Sequence, residues 1–373
     1  MSDVFVVAAR RTAVAPRNGS FTQIGAADLG AAVIEGVLEN LDLSGAHIDE
    51  VIFGNALYGG GNPARVAALA AGLSETIPAS TIDTQCCSGF DAILLGASRI
   101  RAGEANVVVA GGLESYSRSP LRFHRPLSAS EQAQFYERPP FTPWPDRDPD
   151  LIESAAALAQ SMGVARAAQE AFAVASHAKA LAGNFDDELV RVVGLARDEF
   201  ARSLNARVCS RLPVISGDQA HGLTAATIAV QADAAAAVVL VSSQIAARLK
   251  PSCTIRIEAY SRMGGAPEFP ALAGIAPLKN LLSGIPRKRL LACELMEAFA
   301  VQAMAWQAAL DLDPLCVNRS GGALSRGHPI GASGAILAVR LFHELKHETK
   351  GALGLAAIAA AGGLASAALF ERM

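Results

Sequence analysis

Two stretches of the chain carry residues whose types and spacing suit covalent chemistry. The first is Asp83-Thr84-Gln85-Cys86-Cys87-Ser88-Gly89-Phe90. A short apolar stretch ends there, and Phe90, Ile93, Leu94, Ala97 and Ile100 follow at helical spacing, which predicts a strand-to-helix turn at Cys86. The free N–H groups of a helix start favour a thiolate there, and Gly89 would let the backbone approach a ligand. The competing reading is a buried cysteine at a tight turn. The second stretch runs from Asn318 to Gly334 (NRSGGALSRGHPIGASG). In it His328 is held between Gly327 and Pro329, in a Gly-rich loop that allows close approach. A cysteine beside a histidine is the usual way to obtain a sulfur nucleophile at neutral pH. His47, His124, His177, His221, His343 and His347 lie in helix-like or polar settings and are read as structural. Glu114 and Glu297 follow strand ends, where they could orient other groups or form ordinary ion pairs.

Other chemistries lack their signatures. No phosphate-cradling G-x-x-x-x-G-K-[ST] occurs, no G-x-G-x-x-G follows the first strand, and no zinc spacing or G-x-S-x-G elbow is present, so no metal site is expected.

The elements that must position these residues follow from periodicity. Strands are predicted over 4–9, 51–54, 106–110, 254–260, 290–295, 355–361 and 367–370. Helices are predicted over 26–41, 64–71, 152–162, 166–183 and 298–310, and after the His328 loop. Residues 234–242 (AAAAVVLVS) read as a helix running into a strand. Strands alternating with helices predict a mainly parallel α/β sheet. From about residue 118 to 213 prolines and aromatics break this rhythm, which reads as an insertion covering the site.

The bulk numbers agree with that class. A chain of 373 residues exceeds the usual single-domain size, so two fused units are expected. It is 51% apolar and rich in Ala and Gly, as suits tightly packed parallel strands. A net charge of −3 gives no case for nucleic acid or an anionic membrane surface. No apolar run reaches the length of a spanning helix. The six cysteines form no C-x-x-C pair, and the first residues go straight into a strand, which together predict a reducing cytoplasm.

Six segments together resemble the thiolase family along nearly the whole chain. They are AARRTAV (8–14), GNPARVAALAAGL (61–73), CSGFDAILLGASRIRAGEANVVVAGGLES (87–115), QEAFAVASHAKALA (169–182), MEAFA (296–300) and GGALSRGHPIGASGA (321–335). The resemblance implies a thiolase fold, α/β, with two similar βαβαβαββ halves in a five-layer α-β-α-β-α core and an inserted loop domain that binds coenzyme A. The implied division is 1–117 with 214–245 for the N-terminal half, 118–213 for the loop domain and 246–373 for the C-terminal half. It implies a homodimer or homotetramer and acyl transfer from an acyl-CoA or acyl-carrier thioester, with coenzyme A as part of the substrate and no resident cofactor. By motif position, Cys86 is similar to the acylated nucleophile and His328 to its activating base. The backbone N–H groups of Cys86 and Ala361 match the family's oxyanion donors.

The chain also departs from the family pattern. Ala359 stands where the family has its second cysteine, the acid/base of the carbanion half-reaction. Met296 stands where it has the Asn of Asn-Glu-Ala-Phe-Ala. Of the Ser-Gly-Leu-Asn-Asp-Gly loop only the aspartate remains, as Asp233 in 229–234. A missing general base costs roughly 10²–10⁴ in rate, and a missing oxyanion donor about 10²–10³. Both losses fall on the carbon–carbon half-reaction. Three readings follow: an acyltransferase that forms an acyl-cysteine but condenses or thiolyses poorly; an ordinary acetyl-CoA C-acyltransferase in which Cys87, Cys293 or Cys316 replaces the missing acid; or a non-catalytic CoA-binding or scaffold subunit.

Overall fold

The computed structural model describes residues 3–39, 41, 43 and 47–373. The strands that matter here are β1 (Val4–Thr12), β2 (Glu50–Gly54), β3 (Ala79–Ile82), β4 (Val107–Ser115), β5 (Ala232–Ser242), β6 (Ile255–Gly264), β7 (Leu290–Leu295), β8 (Leu353–Ala360) and β9 (Leu364–Arg372). The helices are α1 (Ala26–Leu38), α2 (Pro63–Ala70), α3 (Ser88–Ala102), α4 (Leu151–Ser161), α5 (Arg166–Ala182), α6 (Ile275–Leu281), α7 (Ala300–Leu310) and α8 (Ile330–Lys346). The helix expected over 26–41 ends at Leu38, and Asn40 lies outside the described residues.

The strand path runs β7-β8-β9-β6-β1-β5-β4-β2-β3. Alternation along each strand sends successive side chains to opposite faces, and β5 shows the consequence. Val239 and Val241 pack with Val33 and Ile34 of α1 on one face. Val238 and Leu240 pack with Ile93 of α3 and Leu341 of α8 on the other. The far half repeats this. Leu355 and Leu369 pack with Leu278 of α6 and Trp306 of α7, while Ile358 and Phe370 face the central helices. The result is the five-layer order α-β-α-β-α, with α3 and α8 in the middle layer. Cys86 precedes one of these central helices and His328 the other.

The sheet is mixed, which corrects the expectation of a mainly parallel one. Pairs β2–β3, β2–β4 and β7–β8 are parallel, but β1–β5, β4–β5, β6–β9 and β8–β9 are antiparallel. Only the turn 361–363 separates β8 from β9, far too little chain for a parallel crossover. The Ala-rich run is also strand throughout, not helix then strand. With β1 and β4 hydrogen-bonded on either side and helices on both faces, tertiary packing overrides the helix preference of alanine.

Glycines set how closely the middle layer can pack. A Cβ on Gly112 would lie 2.1 Å from the carbonyl oxygen of Gly331, and one on Gly89 would lie 2.6 Å from the same atom. Gly89 therefore serves contact with the neighbouring helix, a correction to its reading as a point of ligand approach. Gly112→Ala is expected to cost about 1–3 kcal/mol or more, because the obstacle is backbone and cannot rotate away. Chemical denaturation of the variant against wild type measures that loss, and an unchanged midpoint would contradict it.

Between β4 and β5 the chain makes the hairpin Arg122–His124/Gln134–Tyr136 and then α4 and α5. α4 packs against α7. Among the described residues no helix is long and apolar enough to cross a membrane.

Candidate active site

β3 delivers the chain to a short 3-10 turn, Gln85–Cys87, which runs directly into α3. The turn is tied by its own side chains. Gln85 N–H donates to Asp83 Oδ1 at 2.8 Å, Thr84 N–H donates to Ser88 Oγ at 2.9 Å, and Ser88 Oγ donates to the Gln85 carbonyl at 2.6 Å. Gln85 has φ +57°, a left-handed conformation that costs roughly 1–3 kcal/mol in a non-glycine residue. This strained turn presents Cys86, while Cys87 points away into the core, its thiol donating to the Ile358 carbonyl at 3.6 Å.

His328 arrives from the other half. Gly327, at φ +111°, turns the chain out of the short helix Ala323–Arg326, and a Cβ there would meet the Ala232 side chain at 2.7 Å. His328 N–H then donates to the Val230 carbonyl at 2.8 Å. Glu114, at the end of β4, ties this loop to the first half. Its carboxylate accepts from Gly331 N–H at 2.9 Å, Ala56 N–H at 3.0 Å and the Asn55 amide at 2.6 Å. Burial pushes the Glu114 carboxyl up to about 7, against the pull of those backbone donors. Of the two strand-end carboxylates, Glu297 is likewise enclosed, accepting from Asn318 Nδ2 at 2.6 Å and Ser176 Oγ at 2.8 Å. Both carboxylates position loops and neither lines the cavity described below.

The fold brings Cys86 Sγ to 3.2 Å from His328 Nε2 across 242 residues of sequence. On the far side of the ring, Nδ1 lies 2.6 Å from Ser333 Oγ, and that hydroxyl donates to the Pro329 carbonyl at 3.1 Å. With its own hydrogen so placed, Ser333 accepts Nδ1–H, which leaves the Nε2 lone pair facing the thiol. Burial pushes the Cys86 thiol up to about 12, although the backbone N–H of Ala361 faces the sulfur and pulls the other way. Burial lowers His328 to about 4. The resting pair is thus neutral thiol and neutral imidazole. Desolvation opposes the thiolate that the N–H groups of the helix start favour. Such a pair can transfer the S–H proton to Nε2 as sulfur attacks a carbonyl.

Cys86 and His328 open on a cavity of about 100 Å³ walled by Leu151, Ala155, Ile228, Phe299 and Ala359–Ala361. Ala359 is therefore beside the pair. Met296 is buried in the central core, its N–H donating to the Ala357 carbonyl at 3.0 Å. Asp233 is buried too, its carboxylate accepting from Ser117 N–H at 3.0 Å. Cys293 and Cys316 lie against each other, Sγ to Sγ 3.7 Å, on the other face of β7.

Two residues escaped the sequence reading. Ser333 was hidden in the small-residue run Gly-Ala-Ser-Gly-Ala, although its place one turn into the helix after His328 was a signal. Gln302, on α7, reaches the same cavity. Its signal was an amide early in an apolar helix (AVQAMAWQAAL) that carries only one other, Gln307.

The family model "Thiolase, N-terminal domain" matches residues 4–244, and "Thiolase, C-terminal domain" matches residues 251–372. The chain is 37% identical to an acetyl-CoA acetyltransferase of Cupriavidus necator, and 33% identical to the putative acetyl-CoA C-acetyltransferase VraB of Staphylococcus aureus, with 100% of both chains covered in each case. The crystal structure of human mitochondrial 3-ketoacyl-CoA thiolase in complex with CoA superposes with a TM-score of 0.90 at 27% identity, covering 100% of this chain and 98% of that one.

Proposed function

The chain belongs to the thiolase family of acyltransferases, and from that premise we propose that it forms an acyl-cysteine at Cys86 from a short acyl-CoA and is a poor catalyst of Claisen condensation and thiolysis. In the proposed step His328 Nε2 takes the thiol proton as Cys86 Sγ attacks the thioester carbonyl. The tetrahedral oxyanion is held by the backbone N–H groups of Cys86 and Ala361. The carbonyl-to-sulfur bond of the CoA thioester then breaks, and the proton on His328 passes to the departing CoA thiolate. Residues 118–213 serve in this reading as the CoA-binding loop domain.

The observation that carries the reading is the 3.2 Å Cys86–His328 pair opening on a cavity that Ala359 also lines. Among the described residues that lining holds no carboxyl, no amine and no second thiol. Alanine cannot move a proton, and this supports the proposed weakness of the second half-reaction. Cys87, Cys293 and Cys316 all sit off the cavity. The names of the relatives favour a second reading, a complete acetyl-CoA C-acetyltransferase whose acid comes from elsewhere.

Incubation with acetyl-CoA, followed by intact mass and peptide mapping, tests the two together. One acetyl group on Cys86 with stoichiometric CoA release and no acetoacetyl-CoA is the expected result. Steady formation of acetoacetyl-CoA would establish the second reading. No adduct from acetyl-CoA or its longer homologues would overturn both.

A further inference from the structure

The cavity in front of Cys86 contains a polar group that the acyl-transfer step does not use. Gln302 is 3% exposed, and its amide nitrogen has no hydrogen-bond partner among the described residues. Its surroundings in the cavity are apolar: Leu151, Ala155, Ala271 and Phe299. Ser154 is also there, but its hydroxyl donates to the Glu268 carbonyl at 2.7 Å. Folded proteins pair the great majority of their buried polar groups, so an unpaired amide on a residue of the cavity wall points to a ligand that completes it.

The position of Gln302 says which part of a ligand it meets. Cys86 and His328 belong to the wall formed by the starts of α3 and α8, whereas Gln302 belongs to the wall formed by α7, which packs on α4 and on the turn Pro270–Leu272. An acyl group attached at Cys86 extends across the cavity toward this second wall. A cavity of about 100 Å³ suits a short chain. No lysine or arginine lines the cavity among the described residues, and His328 is neutral, so a terminal carboxylate would be buried without a counter-charge. A hydroxyl fits, because it both donates and accepts, as an amide does.

We propose that Gln302 is a specificity-determining residue that hydrogen-bonds a hydroxyl near the far end of a short acyl chain, so that the site selects small hydroxyacyl-CoA thioesters over their hydrocarbon isosteres. The inference rests on the acyl-Cys86 reading for the orientation of the chain.

The test uses the full-length Cys86→Ala protein, which binds without reacting, and two ligands of nearly equal shape. 3-Hydroxypropionyl-CoA carries a hydroxyl where butyryl-CoA carries a methyl. Calorimetry is expected to show the hydroxyacyl ligand binding about tenfold more tightly, since the isostere leaves the buried amide unpaired. Adding Gln302→Met is expected to remove or reverse the preference. Equal affinities for the two ligands overturn the inference, as they would if Gln302 only holds an ordered water. A preference that survives Gln302→Met also overturns it. Failure of both ligands to bind overturns the inference together with the acyl-CoA reading, whereas acetylation of wild-type Cys86 reports on that reading alone.

Discussion

His328→Ala lowers the rate of Cys86 acylation at neutral pH by about 10²–10⁴, the usual contribution of a positioned general base, and it also changes the shape of the pH profile. Burial sets the thiol at about 12 and the imidazole at about 4. Over the range between those values the resting pair carries no charge, and the imidazole is always ready to accept a proton. The wild-type rate is therefore expected to be level across this range and to fall only when His328 becomes protonated near its lower limit. In His328→Ala the sulfur can attack only as free thiolate. That fraction rises about tenfold per pH unit while the pH stays below the thiol pKa, so the variant should gain rate steadily with pH where the wild type does not. CoA release from acetyl-CoA, followed at closely spaced pH values, gives both profiles. Cys86→Ala is the blank and should release none. A level profile in His328→Ala, or a loss smaller than tenfold, would remove His328 from the role of base.

Each member of the pair was legible in the sequence, Cys86 at a strand-to-helix turn and His328 in a Gly-rich loop, and the resemblance implied their roles, but that the two side chains meet was not. Gly89 and Gly112 both abut the Gly331 carbonyl, and Gly327 must turn with positive φ. Glycine at these positions follows from the approach of α3, β4 and α8, and that approach places a thiol beside an imidazole. The charge state of the pair was not legible. Helix-start N–H groups can be anticipated from a local pattern, but the desolvation that overrides them depends on what the rest of the chain packs around the sulfur. The same limit explains β5. Its alanines carry a local preference for helix, and only the pairing with β1 and β4 fixes them as strand. It also explains Gln302, whose unpaired amide sits among neighbours from α4 and the Pro270–Leu272 turn, remote in sequence.

The gain expected from Ala359→Cys is the sharpest consequence of the proposed reading. Ala359 is 6% exposed and lines the cavity beside Cys86 and His328, so the substitution adds one sulfur to the space where an acyl group and its acceptor must meet. A thiol at that position supplies the missing proton relay, and acetoacetyl-CoA formation from acetyl-CoA is expected to rise by about 10²–10⁴. The first half-reaction should change little, because Cys86, His328 and the Ala361 N–H are untouched. Combining Met296→Asn with it would add a donor, for a further gain of about 10²–10³. Met296 is 1% exposed in the apolar centre, however, and an unpaired amide there costs roughly 1–3 kcal/mol. The single variant is therefore the decisive one, with denaturation reporting whether the double variant folds. Acetyl-Cys86 formation and acetoacetyl-CoA production, measured on the same samples, separate the possible outcomes. An intact adduct with a large rise in condensation locates the deficiency at Ala359. An intact adduct with no rise would mean that the site lacks more than an acid, and that its acceptor is one needing no α-proton abstraction. A wild type that already condenses as fast as the variant would show that another group performs the proton transfer, and the reading of this chain as a half-reaction enzyme would fall.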